Sequence, residues 1–281
     1  MGETDPRFNP LRDDLAGESL RGRVERPRFV AGTPAQVVAG LVDLKRTPDA
    51  TSATDTQLLR GEVVTLFEER DGWAWVQNRA DDYVGYLPAA ALSAQVHEPT
   101  HRVIVRETWL YPEPKLKAPP TARLSFLGAV AVVGVREMFV ELEGGGFLVG
   151  RHLAPLNDVV PDYVAAAALF LGVPYFWGGK GAGGLDCSGL VQLALKRAGL
   201  ACPRDTDVQE LAFGKRPWDS AKLPQRGELI FMAGHVAIAL DGERILHANA
   251  HHMLVAVEPW KALAARLAAR GEPGFTTLGR P

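Results

Sequence analysis

The chain has 281 residues, more than one small module needs, since domains commonly hold about 150 residues. Lys and Arg number 31 against 33 Asp and Glu, and this balance gives no electrostatic reason to expect nucleic acid or a membrane surface as partner. Two cysteines are too few for a disulfide framework, no apolar run approaches the ~20 residues of a membrane span, and the N-terminal residues lack the apolar stretch of a secretory signal. These features predict a cytoplasmic protein of two or more domains.

Residues 1–28 are charged and rich in turn formers, which predicts an N-terminal arm, with a short helix near residues 11–15 as an alternative. From residue 29 to residue 96 the pattern changes to short alternating runs separated by turn signals, of which Asp71-Gly72 is a strong hairpin marker. The predicted strands are 37–38, 41–44, 63–67, 73–76 and 83–87. This cadence favours a small antiparallel barrel.

Residues 97–157 repeat the cadence more weakly, with predicted strands at 103–105, 108–111, 129–135, 139–142 and 146–149. Both copies end in a glycine followed by an aromatic residue, Gly85-Tyr86-Leu87 in the first and Gly146-Phe147-Leu148 in the second. The two segments resemble bacterial SH3-like barrels, so the sequence predicts two such modules in succession.

Residues 158–281 begin with helices and continue with strands. A helix is predicted from Asp162 to residue 171, a glycine-rich loop spans 178–184, and a second helix runs from Cys187 to Ala198. Strands follow at 228–232, 235–240, 244–248 and 253–257. Helices followed by antiparallel strands indicate an α+β domain.

Cys187 stands at a helix start, directly after the glycine-rich loop and Asp186. Free N–H groups and the positive dipole end of a helix favour a thiolate, and the same groups can stabilise an oxyanion. Cys202 has no such surroundings, and we interpret it as an inert buried thiol.

A nucleophilic cysteine needs a histidine as base and a third group that orients this histidine. His235 opens one predicted strand and His247 ends the next, on either side of the Asp241-Gly242 turn. A two-residue loop would put the two rings on opposite faces of the sheet, so an odd loop or a bulge is required to bring them together.

Four stretches together resemble the NlpC family of papain-like cell-wall cysteine peptidases over about residues 162–259. They are Gly172-Val-Pro-Tyr-Phe-Trp-Gly-Gly179, Gly184-Leu-Asp-Cys-Ser-Gly-Leu-Val191, Gly234-His-Val-Ala-Ile238 and Ile245-Leu-His-Ala248. The resemblance implies a papain-like fold, a catalytic triad of Cys187, His235 and His247, no cofactor, and cleavage of amide bonds in peptidoglycan stem peptides.

The arrangement of two SH3-like modules before this domain is similar to the γ-D-glutamyl-L-diamino acid endopeptidases of muropeptide recycling. This wider resemblance implies a small muropeptide substrate with a free N-terminal L-alanine. In the catalytic domain it implies substrate contacts by Tyr175 at the reacting carbonyl, by Asp186 on the alanine ammonium, by Ser188 on the substrate backbone and by Arg204 on the α-carboxylate of D-glutamate. In the first barrel it implies that Asp55 and Tyr83 close the amine end of the cleft.

Two other sites are considered and set aside. His251 and His252 beside His247 suggest a metal cluster, but the spacing shows no Cys or carboxylate partner. The loop 178–184 lacks the Gly-Lys-Ser/Thr ending of a phosphate cradle, because Gly181 follows Lys180.

The sequence therefore predicts a cysteine endopeptidase that acts on L-Ala-γ-D-Glu-diamino acid peptides, without deciding between diaminopimelate and lysine. Two alternatives stay open: an amidase or acyltransferase that uses the same triad, and an inactive protein that binds wall peptides.

Overall fold

A computed structural model of the chain describes residues 5–281, which form two compact units, residues 5–157 and residues 158–281. Among the described residues, no helix combines the length and the apolar character that crossing a membrane demands.

The first unit consists of short strands and three single-turn 3₁₀ helices, Glu18–Leu20, Ala89–Ala91 and Gly150–His152. Its strands are β1 Ala16–Gly17, β2 Phe29–Val30, β3 Thr33–Val37, β4 Leu41–Lys45, β5 Thr54–Leu59, β6 Val63–Arg70, β7 Trp73–Asn78, β8 Val84–Pro88, β9 Leu92–Ser93, β10 His101–Val103, β11 Glu107–Leu110, β12 Ala122–Ser125, β13 Ala129–Val130, β14 Val132–Arg136, β15 Phe139–Leu142, β16 Phe147–Val149 and β17 Leu153–Pro155.

Seven of these strands form one antiparallel sheet in the order β5-β4-β8-β7-β6-β3-β9. The turn from β6 to β7 is Asp71-Gly72, and both residues have positive φ, as a tight two-residue hairpin requires. Alternating apolar side chains such as Leu44, Val64 and Val76 point to one side and form the core of the sheet. Strand β5 was not predicted.

The N-terminal residues that the structure describes pack on this sheet. Ala16 in β1 pairs in parallel with Phe29 in β2, and the side chains of Leu15 and Leu20 are buried. The ring of Phe8 meets Tyr83 edge-on at 5.3 Å. The alternative helix near residues 11–15 is wrong, because a bridge between Leu11 and Ala16 turns the chain back there. Residues 1–4 of the predicted arm lie outside the described residues.

The rest of the first unit contains three small sheets, with strand orders β13-β10-β17, β11-β12 and β14-β15-β16. Their shared core includes Val103, Leu124 and Leu148. This segment ends as the preceding one does, with a strand, a single 3₁₀ turn and a short strand, so the similarity of the two sequence endings corresponds to a similarity of local structure.

The second unit combines four helices with one large sheet. Its elements are α1 Tyr163–Ala168, β18 Lys180–Gly181, β19 Gly184–Leu185, α2 Cys187–Arg197, α3 Thr206–Phe213, β20 Arg216–Pro217, β21 Leu229–Met232, β22 His235–Ala239, β23 Arg244–Asn249, β24 Leu254–Pro259, α4 Trp260–Ala269 and β25 Phe275–Gly279. The predicted first helix is shorter than expected and ends at Ala168. Helices α3 and α4 and strands β20 and β25 were not predicted.

The six-stranded sheet has the order β20-β25-β21-β22-β23-β24. One face, which carries Ala237, Ala239 and Ile245, packs against Trp260 and Leu263 of α4. Helix α2 also packs against β22 and β23. The start of α2 is thereby brought to the strands that carry the two histidines.

Candidate active site

Cys187 is the first residue of α2, and the preceding Asp186 is the N-cap of this helix. The Asp186 carboxylate accepts hydrogen bonds from the backbone N–H of Gly189 at 2.7 Å and of Gly178 at 2.9 Å. One side chain thus satisfies a free N–H of the helix and fixes the glycine-rich loop beside it. A Cβ at Gly189 would lie 2.3 Å from the carbonyl oxygen of Gly179, so this close approach of loop and helix requires glycine.

The Cys187 thiol is only 6% exposed. Burial raises its pKa to about 11, and the neighbouring charge of Asp186 acts in the same direction. Hydrogen bonds from the Thr206 hydroxyl, 3.6 Å from Sγ, and from the backbone N–H groups of Val236 and Ser188 oppose this rise. The expected thiolate is therefore not the resting form, because the desolvation of the sulfur outweighs the helix start.

The contact with the Val236 N–H places the sulfur at the beginning of β22, next to His235. His235 Nε2 lies 2.8 Å from Nδ1 of His247, and His247 Nε2 lies 2.9 Å from Oε1 of Glu258. Both oxygens of Glu258 also accept hydrogen bonds from Arg266, at 2.6 and 2.8 Å. These four residues, His235, His247, Glu258 and Arg266, form a continuous chain that we call the histidine relay.

The strand register explains how the relay forms. Residues 241–243 make a three-residue loop, because Ala239 pairs with Ile245 and the N–H of Leu240 bonds to the carbonyl of Arg244. The odd loop that the two histidines require is thus present, and both rings share one face of the sheet. On the neighbouring strand β24, Ala256 pairs with His247 and Glu258 pairs with Ile245. Glu258 lies two residues from Ala256, so its side chain projects from the same face of the sheet as His247.

The charge of Glu258 determines which nitrogen of each histidine in the relay carries a proton. Burial alone would raise the pKa of Glu258, but the hydrogen bonds from Arg266 and His247 outweigh it, and the pKa lies well below its ordinary value. The ionised Glu258 can only accept, so His247 Nε2 donates to it, and His247 Nδ1 accepts from His235 Nε2. The lone pair of His235 therefore resides on Nδ1 and is available as a base.

Both histidines are neutral in this arrangement. Burial lowers the pKa of His235 to about 3, and repulsion from the protonated form of His247 adds to the decrease. Burial also lowers the pKa of His247, although Glu258 partly opposes this effect. A neutral thiol beside a neutral imidazole defines a site in which the proton moves when a substrate is attacked.

Sequence reasoning missed Glu258 and Arg266. It also excluded a metal cluster for a wrong reason, because a carboxylate does lie beside the histidines: His247, His252 and Glu258 each place one potential ligand atom within 4.8 Å of the others. The hydrogen bonds of Arg266 and His247 already engage both oxygens of Glu258, so we interpret the group as part of the relay. The signal available in the sequence was the position of Glu258, eleven residues after His247 on the predicted hairpin.

Asp186, Ser188 and Arg204, which were predicted to bind substrate, form a buried network with one another. Arg204 is 1% exposed, and its guanidinium donates to both oxygens of Asp186 at 2.7 and 3.0 Å and to the Ser188 hydroxyl at 2.8 Å. The arginine therefore supports the N-cap of α2 in this structure. Its predicted contact with a substrate carboxylate would require this pairing to rearrange.

Tyr175 lies next to the catalytic residues. It bridges to Leu185 just before Asp186, and its side chain lines one cavity with His235 and His247. Burial raises the pKa of its hydroxyl, and the charge of Asp186 and the thiolate form of Cys187 add to the rise, so the hydroxyl is protonated and can donate.

Asp55 and Tyr83, the two residues predicted in the first barrel, line a single cavity of about 240 Å³ in the first unit. Asp55 accepts two hydrogen bonds from the guanidinium of Arg46, at 2.5 and 3.2 Å. Tyr83 is 4% exposed. The two residues thus line one cavity of the first unit, and their role at the amine end of the substrate stays a prediction.

A cysteine at a helix start, a histidine base from the adjoining sheet and a second histidine that orients the first define a papain-like cysteine peptidase. Comparison with known families agrees: residues 172–264 match the NlpC/P60 family, and residues 44–92 match the bacterial dipeptidyl-peptidase SH3 domain. The chain is therefore a cysteine peptidase that carries an NlpC/P60 domain together with an SH3 domain.

Relatives extend over both units. The chain is 28% identical to a gamma-D-glutamyl-L-lysine dipeptidyl-peptidase of Bacillus subtilis over 68% of this chain and 71% of that protein. It is 27% identical to dipeptidyl-peptidase 6 of Lysinibacillus sphaericus over 76% of this chain and 87% of that protein. A crystal structure of an NlpC/P60 family protein from Bacillus cereus covers 89% of this chain with a TM-score of 0.72 at 21% identity, which shows a shared fold.

Proposed function

We propose that the protein hydrolyses the amide bond between γ-D-glutamate and a diamino acid in free peptidoglycan stem peptides, and releases L-Ala-γ-D-Glu. The observation that carries the proposal is the histidine relay beside Cys187, because it supplies a nucleophile and an oriented base for amide cleavage. The substrate class is supported by the dipeptidyl-peptidase relatives, one of which is named for a γ-D-glutamyl-L-lysine bond.

In the first step, His235 Nδ1 takes the proton of the Cys187 thiol while Sγ attacks the γ-carbonyl carbon of D-glutamate. N–H groups at the start of α2 stabilise the oxyanion. The imidazolium of His235 then gives its proton to the amine nitrogen of the diamino acid. The C–N bond breaks, the diamino acid leaves, and an L-Ala-γ-D-Glu thioester remains on the sulfur.

In the second step, His235 takes a proton from water and the resulting hydroxide attacks the thioester carbon. The C–S bond breaks, the sulfur recovers the proton from His235, and L-Ala-γ-D-Glu is released. His247 holds the imidazole through both steps, because its Nδ1 accepts from His235 Nε2 in the resting state and stabilises the imidazolium when it forms.

The demand for a free N-terminal L-alanine is assigned to Asp55 and Tyr83. A carboxylate and a phenol hydroxyl in one cavity can accept hydrogen bonds from an ammonium group. Arg7, Arg12 and Arg46 also line this cavity, and Arg46 already pairs with Asp55, so an ammonium group has to compete with a guanidinium there. Substitution of Asp55 or Tyr83 should weaken the discrimination against acetylated peptides.

We further propose that residues 97–157 form a second SH3-like module and that the protein acts in the cytoplasm on recycled muropeptides. The similar endings of the two β segments support the first point. The second rests on the small, free substrates that the proposed activity requires.

The decisive experiment incubates the purified protein with L-Ala-γ-D-Glu-diamino acid tripeptides, with their N-acetylated forms, and with the Cys187→Ala variant as control. Mass analysis should show the dipeptide and the free diamino acid, and little product from acetylated peptides. Transfer products or release of ammonia would favour an acyltransferase or an amidase. The complete absence of turnover in the unmodified protein would refute the proposal.

A further inference from the structure

A cavity of about 250 Å³ lies between the histidine relay and α4, and we call it the α4 cavity. Its lining includes His235, His247 and Tyr175 together with His251, Arg270 and Glu272. It is thus continuous with the catalytic base and reaches charged residues at the end of α4.

The proposed function determines what would enter this cavity, and the following inference rests on it. His235 must protonate the amine of the leaving diamino acid, so this nitrogen has to come within hydrogen-bond distance of the imidazole. The leaving residue consequently starts at His235, and its side chain can extend along the α4 cavity towards Arg270 and Glu272.

The two arginines that line the cavity differ in availability. Arg266 donates to both oxygens of Glu258 and is only 22% exposed, so it belongs to the relay. Arg270 faces Glu272 at 3.7 Å, and their side chains are 58% and 47% exposed. Such a long, exposed ion pair contributes little to stability. Arg270 and Glu272 can therefore separate and bind a ligand with little loss of free energy.

Arg270 and Glu272 therefore offer a cation and an anion side by side. This pair complements a group that carries an ammonium and a carboxylate on one carbon, as the side chain of diaminopimelate does. The carboxylate would form a two-pronged hydrogen bond with Arg270, and the ammonium would meet Glu272. A lysine side chain ends in an ammonium alone and would leave Arg270 without a ligand partner.

We propose that Arg270 and Glu272 form a subsite in the α4 cavity that binds the zwitterionic end of diaminopimelate and makes the enzyme prefer it over lysine. The surroundings of His251 are positively charged, because Arg266 and, less strongly, Arg270 act on this imidazole and lower its pKa, and such surroundings favour a carboxylate ligand. The main-chain carboxylate of the leaving residue is the alternative ligand of Arg270. Both substrates carry this carboxylate, so its binding would give no preference between them.

The test compares kcat/KM for L-Ala-γ-D-Glu-meso-diaminopimelate and L-Ala-γ-D-Glu-L-lysine. The unmodified enzyme should prefer the first by about tenfold or more, the factor expected from one hydrogen bond to a charged group. Arg270→Ala and Glu272→Ala should each lower this ratio towards one. Arg244→Ala is the matched control, because Arg244 is similarly exposed, pairs with Asp241 and lies outside the cavity lining.

The outcomes separate the two proposals. Equal turnover of both tripeptides, or a ratio that Arg270→Ala and Glu272→Ala leave unchanged, overturns the subsite while the endopeptidase activity stands. Cleavage of neither tripeptide refutes the proposed function and the subsite together.

Discussion

Glu258 is expected to control the rate of the reaction although it does not touch the substrate. Its carboxylate accepts from His247 Nε2 at 2.9 Å, and this bond determines which nitrogen of each imidazole carries a proton. In a Glu258→Ala variant, His247 loses this acceptor. Its proton can then shift to Nδ1, so that His235 Nε2 becomes the acceptor and the proton of His235 occupies the nitrogen that should act as base.

The magnitude follows from the lost hydrogen bond. A hydrogen bond to a charged group contributes about 1.5–3 kcal/mol, and each 1.4 kcal/mol changes a rate by about tenfold. We therefore expect kcat to decrease by about 10- to 100-fold in Glu258→Ala with a much smaller change in KM. Glu258→Gln keeps an oxygen for His247 and should recover most of this loss.

The assay measures kcat and KM separately, together with thermal unfolding. Glu228→Ala is the matched control: Glu228 and Glu258 are both 7% exposed, and Glu228 pairs with Arg216 at 2.9 Å without contacting a histidine. Both alanine variants should lose stability, but only Glu258→Ala should lose kcat. Equal kcat values in the two variants would refute the assignment of the relay protons.

Three further predictions concern the same site. Cys187→Ala and His235→Ala should abolish turnover while circular dichroism shows an intact fold, and full activity in either would exclude the assigned chemistry. Because the pKa of His235 is about 3 in the folded state and 6.5 in the unfolded state, only the unfolded chain gains its proton between pH 7 and pH 5. The free energy of unfolding should therefore decrease by about 2 kcal/mol between pH 7 and pH 5 because of this residue. Denaturant titrations should show a weaker pH dependence in His235→Gln, and an equal dependence would contradict the buried neutral imidazole. Gly189→Ala in α2 should reduce stability and activity, since its Cβ would lie 2.3 Å from the oxygen of Gly179. Gly183→Ala in the neighbouring glycine-rich loop has open space and should resemble the unmodified enzyme in unfolding and activity assays.

The sequence was informative where a local pattern carries a physical requirement. A glycine-rich loop before Asp186 and Cys187 predicted a helix start at the cysteine, and the structure has one there. A contact between His235 and His247 requires an odd number of residues in the loop between their strands, and the loop has three. These inferences needed only backbone geometry and side-chain alternation.

Other features depend on contacts between distant segments. The relay extends to Glu258 and Arg266 only because β24 pairs with β23 in one particular register and α4 folds back over the sheet. The neutral state of Cys187 depends on how completely the surrounding segments remove water from the sulfur, which a helix-start pattern does not report. The polar composition of β5, Thr54–Leu59, concealed a strand that is fixed by pairing with β4.

The loop at residues 241–243 connects two strands at the far end from the histidines, where proteins commonly tolerate changes of length. Here the indole of Trp260 donates to the carbonyl of Gly242, and the Asp241 side chain accepts from the N–H groups of Glu243 and Arg244. Unless a bulge in one of the two strands compensates, deleting or inserting a single residue would turn one histidine to the opposite side of the sheet, whatever the inserted side chain. Among divergent descendants of this chain, gaps at this hairpin should therefore occur in steps of two, and a single-residue gap without a compensating bulge would mark a copy that has lost its catalytic function.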